Sequence, residues 1–119
     1  MDNRRRFTRY EVALAAELDV PGSFDTLIGE TRDVSEGGAS VILQQPLVED
    51  SVVDLQLILT EDGIEDPSED PFTANASVMW TAPTDDGRAM VGLRFGKLDA
   101  QETRRLKRFL SRVADASKQ

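Results

Sequence analysis

The 119-residue chain contains no cysteine and no histidine. The first absence excludes disulfides, iron–sulfur clusters and thiolate zinc sites. The second removes the commonest general base and the commonest transition-metal ligand. Aromatic residues make up only 6% of the chain, which argues against a barrel that stacks successive bases of single-stranded nucleic acid. No apolar run approaches the roughly 20 residues that span a bilayer, and no apolar signal segment follows the charged N-terminus. The expectation is a cytoplasmic protein without membrane insertion. Its length is that of one domain, residues 1–119, with a real but modest core.

Charge is present in excess but unevenly placed. The net charge of −8 opposes broad binding to DNA, RNA or anionic membranes. Arg4, Arg5, Arg6 and Arg9 nevertheless crowd the start of the chain, and the final segment is basic again. Residues 61–71 hold Glu61, Asp62, Glu65, Asp66, Glu69 and Asp70. A local basic patch of this kind suits a small, highly charged anion, whereas a long polyanion would meet the acidic middle. Taken alone, the arginine run reads as a solvated tail, and the acidic segment reads as a mobile loop.

The stretch Asp33-Val34-Ser35-Glu36-Gly37-Gly38 lies between two apolar runs and reads as a turn or bulge between strands. Asp33 and Ser35 offer short oxygen acceptors. Gly37 and Gly38 permit positive φ or close approach of a ligand. An ordinary Asx-type corner has the same composition.

Period-2 alternation predicts strands over 10–20, 26–34, 39–43, 51–60, 72–81 and 88–95. The alanines of the first leave a helix open as an alternative. Gly29 is a candidate bulge. Trp80, in line with Phe72, Ala74, Ala76 and Val78, reads as a core aromatic, and either Met90 or Val91 is available to the core. Asp99 and Glu102 form a capping-box pattern. Leu106, Phe109, Leu110 and Val113 then follow at helical spacing, which predicts one amphipathic helix over 99–115. The fold class is therefore all-β: a six-stranded antiparallel barrel, its C-terminal helix closing an open end or covering an edge. Chemistry would have to rest on carboxylates, lysine or serine. No paired constellation of these is present and Ser35 lacks a candidate base, so the chain reads as neither an enzyme nor a metalloprotein.

Arg5-x-x-x-Arg9 ahead of the first strand and Asp33-x-Ser35-x-x-Gly38 after the second resemble the paired signature of the PilZ domain, RxxxR followed by (D/N)xSxxG. The resemblance covers nearly the whole chain, including the Val91-Gly92-Leu93-Arg94-Phe95 ending and the C-terminal helix. It implies a split-barrel-type domain over residues 10–95, preceded by a flexible arm over 1–9, that binds cyclic di-GMP. Arg5 and Arg9 are then the expected clamp, since a guanidinium fork pairs with phosphate oxygens or with guanine O6 and N7. Asp33 would accept from a guanine edge. Ser35 would bond the ligand or brace the turn, and Gly37 and Gly38 would keep the surface low beneath a base. Arg4, directly before the motif, resembles the pattern of members that bind an intercalated dimer of the nucleotide. The implied role is a receptor that changes the surface offered to a downstream protein in motility, exopolysaccharide or virulence control. The alternative is a nucleotide-independent adaptor, of the kind that serves type IV pili by protein contacts.

Overall fold

The computed structural model describes residues 7–61, 64–65 and 70–117. Period-2 alternation becomes strands β1 (Tyr10–Glu11), β2 (Ala15–Asp19), β3 (Thr26–Val34), β4 (Gly38–Leu43), β5 (Val52–Leu57), β6 (Thr60–Glu61), β7 (Ile64–Glu65), β8 (Phe72–Pro83) and β9 (Ala89–Phe95). The 3.6-residue period becomes helix α1 (Ala100–Ser117).

Antiparallel pairing runs β3-β2-β5-β8-β9-β4 and returns from β4 to β3, closing a barrel of six strands. Closure pairs each of these six strands on both sides. In so narrow a barrel, side chains fill the interior. Leu14, Leu18, Val41, Val53, Leu55, Leu57, Phe72, Val78 and Val91 are buried there. Leu106, Phe109 and Leu110 of α1 belong to the same core, and the Phe72 and Phe95 rings meet at 5.4 Å between centroids. The all-β barrel with a C-terminal helix is thus the observed architecture.

The single strand expected over 10–20 is bent into β1 and β2, and both lie along β3. Its inward alternation survives the bend, with Leu14, Ala16 and Leu18 buried. Thr31 makes the bend possible. Its buried hydroxyl accepts from Leu14 N at 2.8 Å and donates to Val12 O at 2.6 Å, replacing ladder bonds that the kinked backbone cannot make.

Gly29 is not the bulge. It stands opposite Ala16 in a regular ladder, where a β-carbon would collide with the carbonyl oxygen of Ile42. The register shift lies further on, between Thr31 and Asp33.

A second shift, between Val78 and Trp80, corrects the reading of Trp80. The extra residue moves the side chain out of the inward series, so Trp80 is 36% exposed and lies on the outer face against Gly92. At the next position in doubt, Val91 faces the core and Met90 does not.

The acidic segment read as a loop begins with a short hairpin, Thr60 pairing with Glu65 and Glu61 with Ile64. Asp62, Asp66 and Glu69 lie outside the described residues. Thr84 and Arg88 fasten the β8–β9 turn. The Arg88 guanidinium and the Thr84 hydroxyl, both bonded to Asp86, hold its carboxyl below the usual carboxylate range.

Helix α1 begins on Asp99, whose Oδ1 accepts from Glu102 N at 2.8 Å. The expected capping box is only half made. Glu102 does not reach back; its Oε2 accepts from Thr73 N at 2.6 Å, and its Oε1 pairs with Arg105 at 2.8 Å. The helix is thereby tied to the start of β8.

Candidate functional site

The 33–38 turn is built by its own backbone and one hydroxyl. Ser35 N donates to Gly38 O at 2.8 Å. Ser35 Oγ accepts from Gly37 N at 3.1 Å and from Gly38 N at 3.2 Å, and is itself 8% exposed. Of the two roles open to Ser35, bracing the turn is the one its contacts display. Phe95 N donates to Gly37 O at 2.9 Å and fastens the turn to β9.

Both glycines are closely approached, but by different groups. A β-carbon on Gly38 would collide with the Leu93 carbonyl oxygen of the neighbouring strand. A β-carbon on Gly37 would sit 2.8 Å from Cδ2 and 3.0 Å from Cε2 of Phe7. The Phe7 ring therefore lies over Gly37, and the segment leading into β1 passes across the turn.

Arg9 comes to the same end of the barrel. It precedes Tyr10, the partner of Val34, and its side chain is exposed. Asp33 lies half-buried between Glu11 of β1 and Ser40 of β4. Among the described residues, neither the Arg9 guanidinium nor the Asp33 carboxylate has a hydrogen-bond or ion-pair partner. A guanidinium and a carboxylate at one end of the barrel place hydrogen-bond donors and acceptors side by side.

The register extends this surface across the outer face of the barrel. Glu11, Asp33, Ser40, Gly92 and Trp80 form one cross-strand row. Gly38, Arg94 and Ser77 form the next, with Arg94 exposed. Lys107 of α1 reaches Glu36 of the turn at 3.9 Å, and both side chains are exposed. A pair of that kind contributes little energy, but it marks the helix as a neighbour of the turn.

Of the residues singled out in the sequence, Arg9, Asp33, Ser35, Gly37 and Gly38 are brought together. Arg4 and Arg5, and with them most of the expected flexible arm, lie outside the described residues. Phe7, Trp80 and Arg94 were not among the site residues expected from the sequence. Phe7 had a signal, since it is the apolar residue inside Arg5-Arg6-Phe7-Thr8-Arg9. Trp80 had none, because a bulge decides its face.

A concavity of about 390 Å³ lies elsewhere, lined by Asp19, Asp54, Gln56, Asn75, Asp99 and Glu102 among others. Its carboxylates disfavour an anion, and it shares no residue with the turn. Among the described residues no cluster of three or more acidic side chains is placed to hold a metal ion. No helix among them is long and apolar enough to cross a membrane.

The structure is thus a closed barrel with Arg9 and Asp33, neither partnered among the described residues, beside a glycine turn. The family model for the PilZ domain matches residues 3–112, and the chain belongs to that family. No curated protein is significantly similar to it in sequence. Among solved structures it resembles the inhibitor of motility MotI/DgrA of Bacillus subtilis, with 15% identity and a TM-score of 0.75 over 98% of this chain and 52% of that one. It also resembles YcgR of Escherichia coli in complex with c-di-GMP, with 17% identity and a TM-score of 0.76 over 97% of this chain and 48% of that one. For the PilZ domain of YcgR with c-di-GMP the values are 15%, 0.72, 97% and 95%. The chain thus spans about half the length of the first two structures. At these identities the likeness is one of fold.

Proposed function

We propose that the protein is a non-enzymatic receptor for cyclic di-GMP acting in the cytoplasm. The ligand lies on the outer face of the barrel at the 33–38 turn. Arg5 and Arg9 grip it from the leading segment, and Asp33 accepts hydrogen bonds from a guanine edge. Ser35 holds the turn in the shape that presents Asp33, and Gly37 and Gly38 keep that end of the barrel low. Arg4 extends the arm toward a second ligand molecule, as an intercalated dimer requires. Capture of the ligand fixes the arm against the barrel and changes the surface offered to a downstream protein partner. Motility, exopolysaccharide and virulence control are the outputs that suit such a receptor.

One observation carries this reading. Arg9, next to the partner of Val34, and Asp33, from the two halves of a split motif, lie at the same end of the barrel, and neither charged group has a partner among the described residues. Membership of the PilZ family and the c-di-GMP named with the YcgR structures support the choice of ligand.

Calorimetric titration with cyclic di-GMP tests it. The wild type is expected to saturate, and Arg5→Ala, Arg9→Ala and Asp33→Ala are each expected to lose at least about tenfold in affinity, or roughly 1.4 kcal/mol. A stoichiometry near two ligands per chain supports the role of Arg4, and a stoichiometry near one removes it. No saturable heat from the wild type would leave the nucleotide-independent adaptor as the better reading.

A further inference from the structure

We infer that the Phe7 ring, seated on Gly37, is a preformed latch that fixes where the arginine arm leaves the barrel, and that ligand affinity depends on this seat. The inference rests on the receptor reading for its effect on affinity, but the latch itself can be tested without ligand.

The contact has the form of a plug in a notch. The edge of the ring occupies the space that a side chain on residue 37 would fill. Phe7 is 40% exposed, so one part of the ring is seated on the turn and the rest is open to solvent. Gly37 does not need to be glycine for its own backbone, because the positive-φ glycines among the described residues are Gly22 and Gly87. What glycine provides at 37 is room for Phe7. Gly38 is different, since a β-carbon there would strike the backbone of β9.

Phe7 lies midway between Arg5 and Arg9 in the sequence. Phe7 stands at a bend two residues before Arg9, so a ring anchored on the turn fixes the point of the chain from which the Arg9 side chain extends. It also removes part of the ordering cost from the binding event, because the arm is already attached at its centre when ligand arrives. Phe7 is thus a positioning residue that acts through Arg9.

Gly37→Ala separates this role from folding. The added methyl meets only the movable end of a side chain, so the ring is displaced while the barrel stays intact. The test uses the full chain as wild type, Gly37→Ala, Phe7→Ala and the double variant. Without ligand, limited trypsin digestion reads cleavage after Arg9 by mass. Both single variants are expected to be cut several-fold faster than wild type, with unchanged melting temperature for Gly37→Ala. With cyclic di-GMP, calorimetry is expected to show each single variant about tenfold weaker, or roughly 1.4 kcal/mol, and the double variant no weaker than either.

Unchanged cleavage after Arg9 in both single variants would overturn the latch. So would additive losses in the double variant, which would mean that Gly37 meets the ligand directly. If the wild type binds no cyclic di-GMP, the receptor reading fails, and the digestion result alone decides whether the latch exists.

Discussion

The indole of Trp80 lies across Gly92, its cross-strand partner, so closely that a β-carbon on Gly92 would overlap Cε2 and Nε1. Trp80 is the sole tryptophan of the chain, and the row it ends also contains Asp33 and Ser40. Its emission should therefore report on this face. A saturable change on adding cyclic di-GMP is expected, with a midpoint matching calorimetry. Gly92→Ala is expected to displace the ring and shift the emission before any ligand is added. Constant emission alongside saturable heat would place the ligand off this row.

The Arg9 contact should depend on geometry as well as charge. A lysine keeps the positive charge but loses the planar fork that grips phosphate or guanine with two bonds. Arg9→Lys is expected to recover less than half of the free energy lost in Arg9→Ala. It should also keep the wild-type salt dependence, which Arg9→Ala flattens. Full recovery by lysine would show that Arg9 acts only as a point charge. Asp33→Asn keeps an acceptor but adds a donor facing the guanine donors, so its affinity should fall nearly as far as that of Asp33→Ala.

Much of this arrangement was legible in the sequence, for physical reasons that differ by residue. Alternation marked β5 and the first part of β8 because one face of each packs into a filled barrel. The helix was legible from Leu106, Phe109 and Leu110 at helical spacing, all of which are buried. The turn was legible because Asp, Ser and paired Gly each carry a specific turn chemistry. The bends were not. Thr31 looks like any strand threonine, and only the third dimension shows its hydroxyl standing in for a ladder bond. Trp80 was misplaced because alternation assumes an unbroken register, and one inserted residue reverses every face beyond it. The neighbour of Gly37 was not legible either, because Phe7 is distant from it in sequence.

The Thr31 bridge makes a stability prediction independent of any ligand. Thr31→Val keeps the shape but removes both hydrogen bonds, leaving Leu14 N and Val12 O unpaired near the core. An unpaired buried group costs about 1–3 kcal/mol, so a loss of roughly 2–3 kcal/mol is expected. At about 4 °C per kcal/mol for a domain of this size, the melting temperature should fall by roughly 10 °C. Thr31→Ser retains the hydroxyl and should lose less than half as much. Equal losses in the two variants would trace the effect to packing rather than to the bridge.

The join between Glu102 and β8 makes the last prediction. The Glu102 carboxylate is committed at both oxygens, to Thr73 N at 2.6 Å and to Arg105 at 2.8 Å, and Arg105 is further bonded to the Pro71 and Asp70 carbonyls. The Glu102 and Arg105 side chains are 11% and 19% exposed, so solvent screens the pair only in part. Glu102→Ala strands a backbone donor of β8 and removes the Glu102 carboxylate from Arg105, and such a break in a largely buried pair costs about 2–4 kcal/mol. Glu102→Gln should cost less, because the amide oxygen can still accept from Thr73 N while the charge pairing is lost. Since the same join holds α1 over Phe72 and Phe95, amide exchange in α1 should accelerate more than exchange in β4 and β9. Uniform acceleration across barrel and helix would mean that the helix is not a separately releasable lid and that Glu102 supports the whole fold at once.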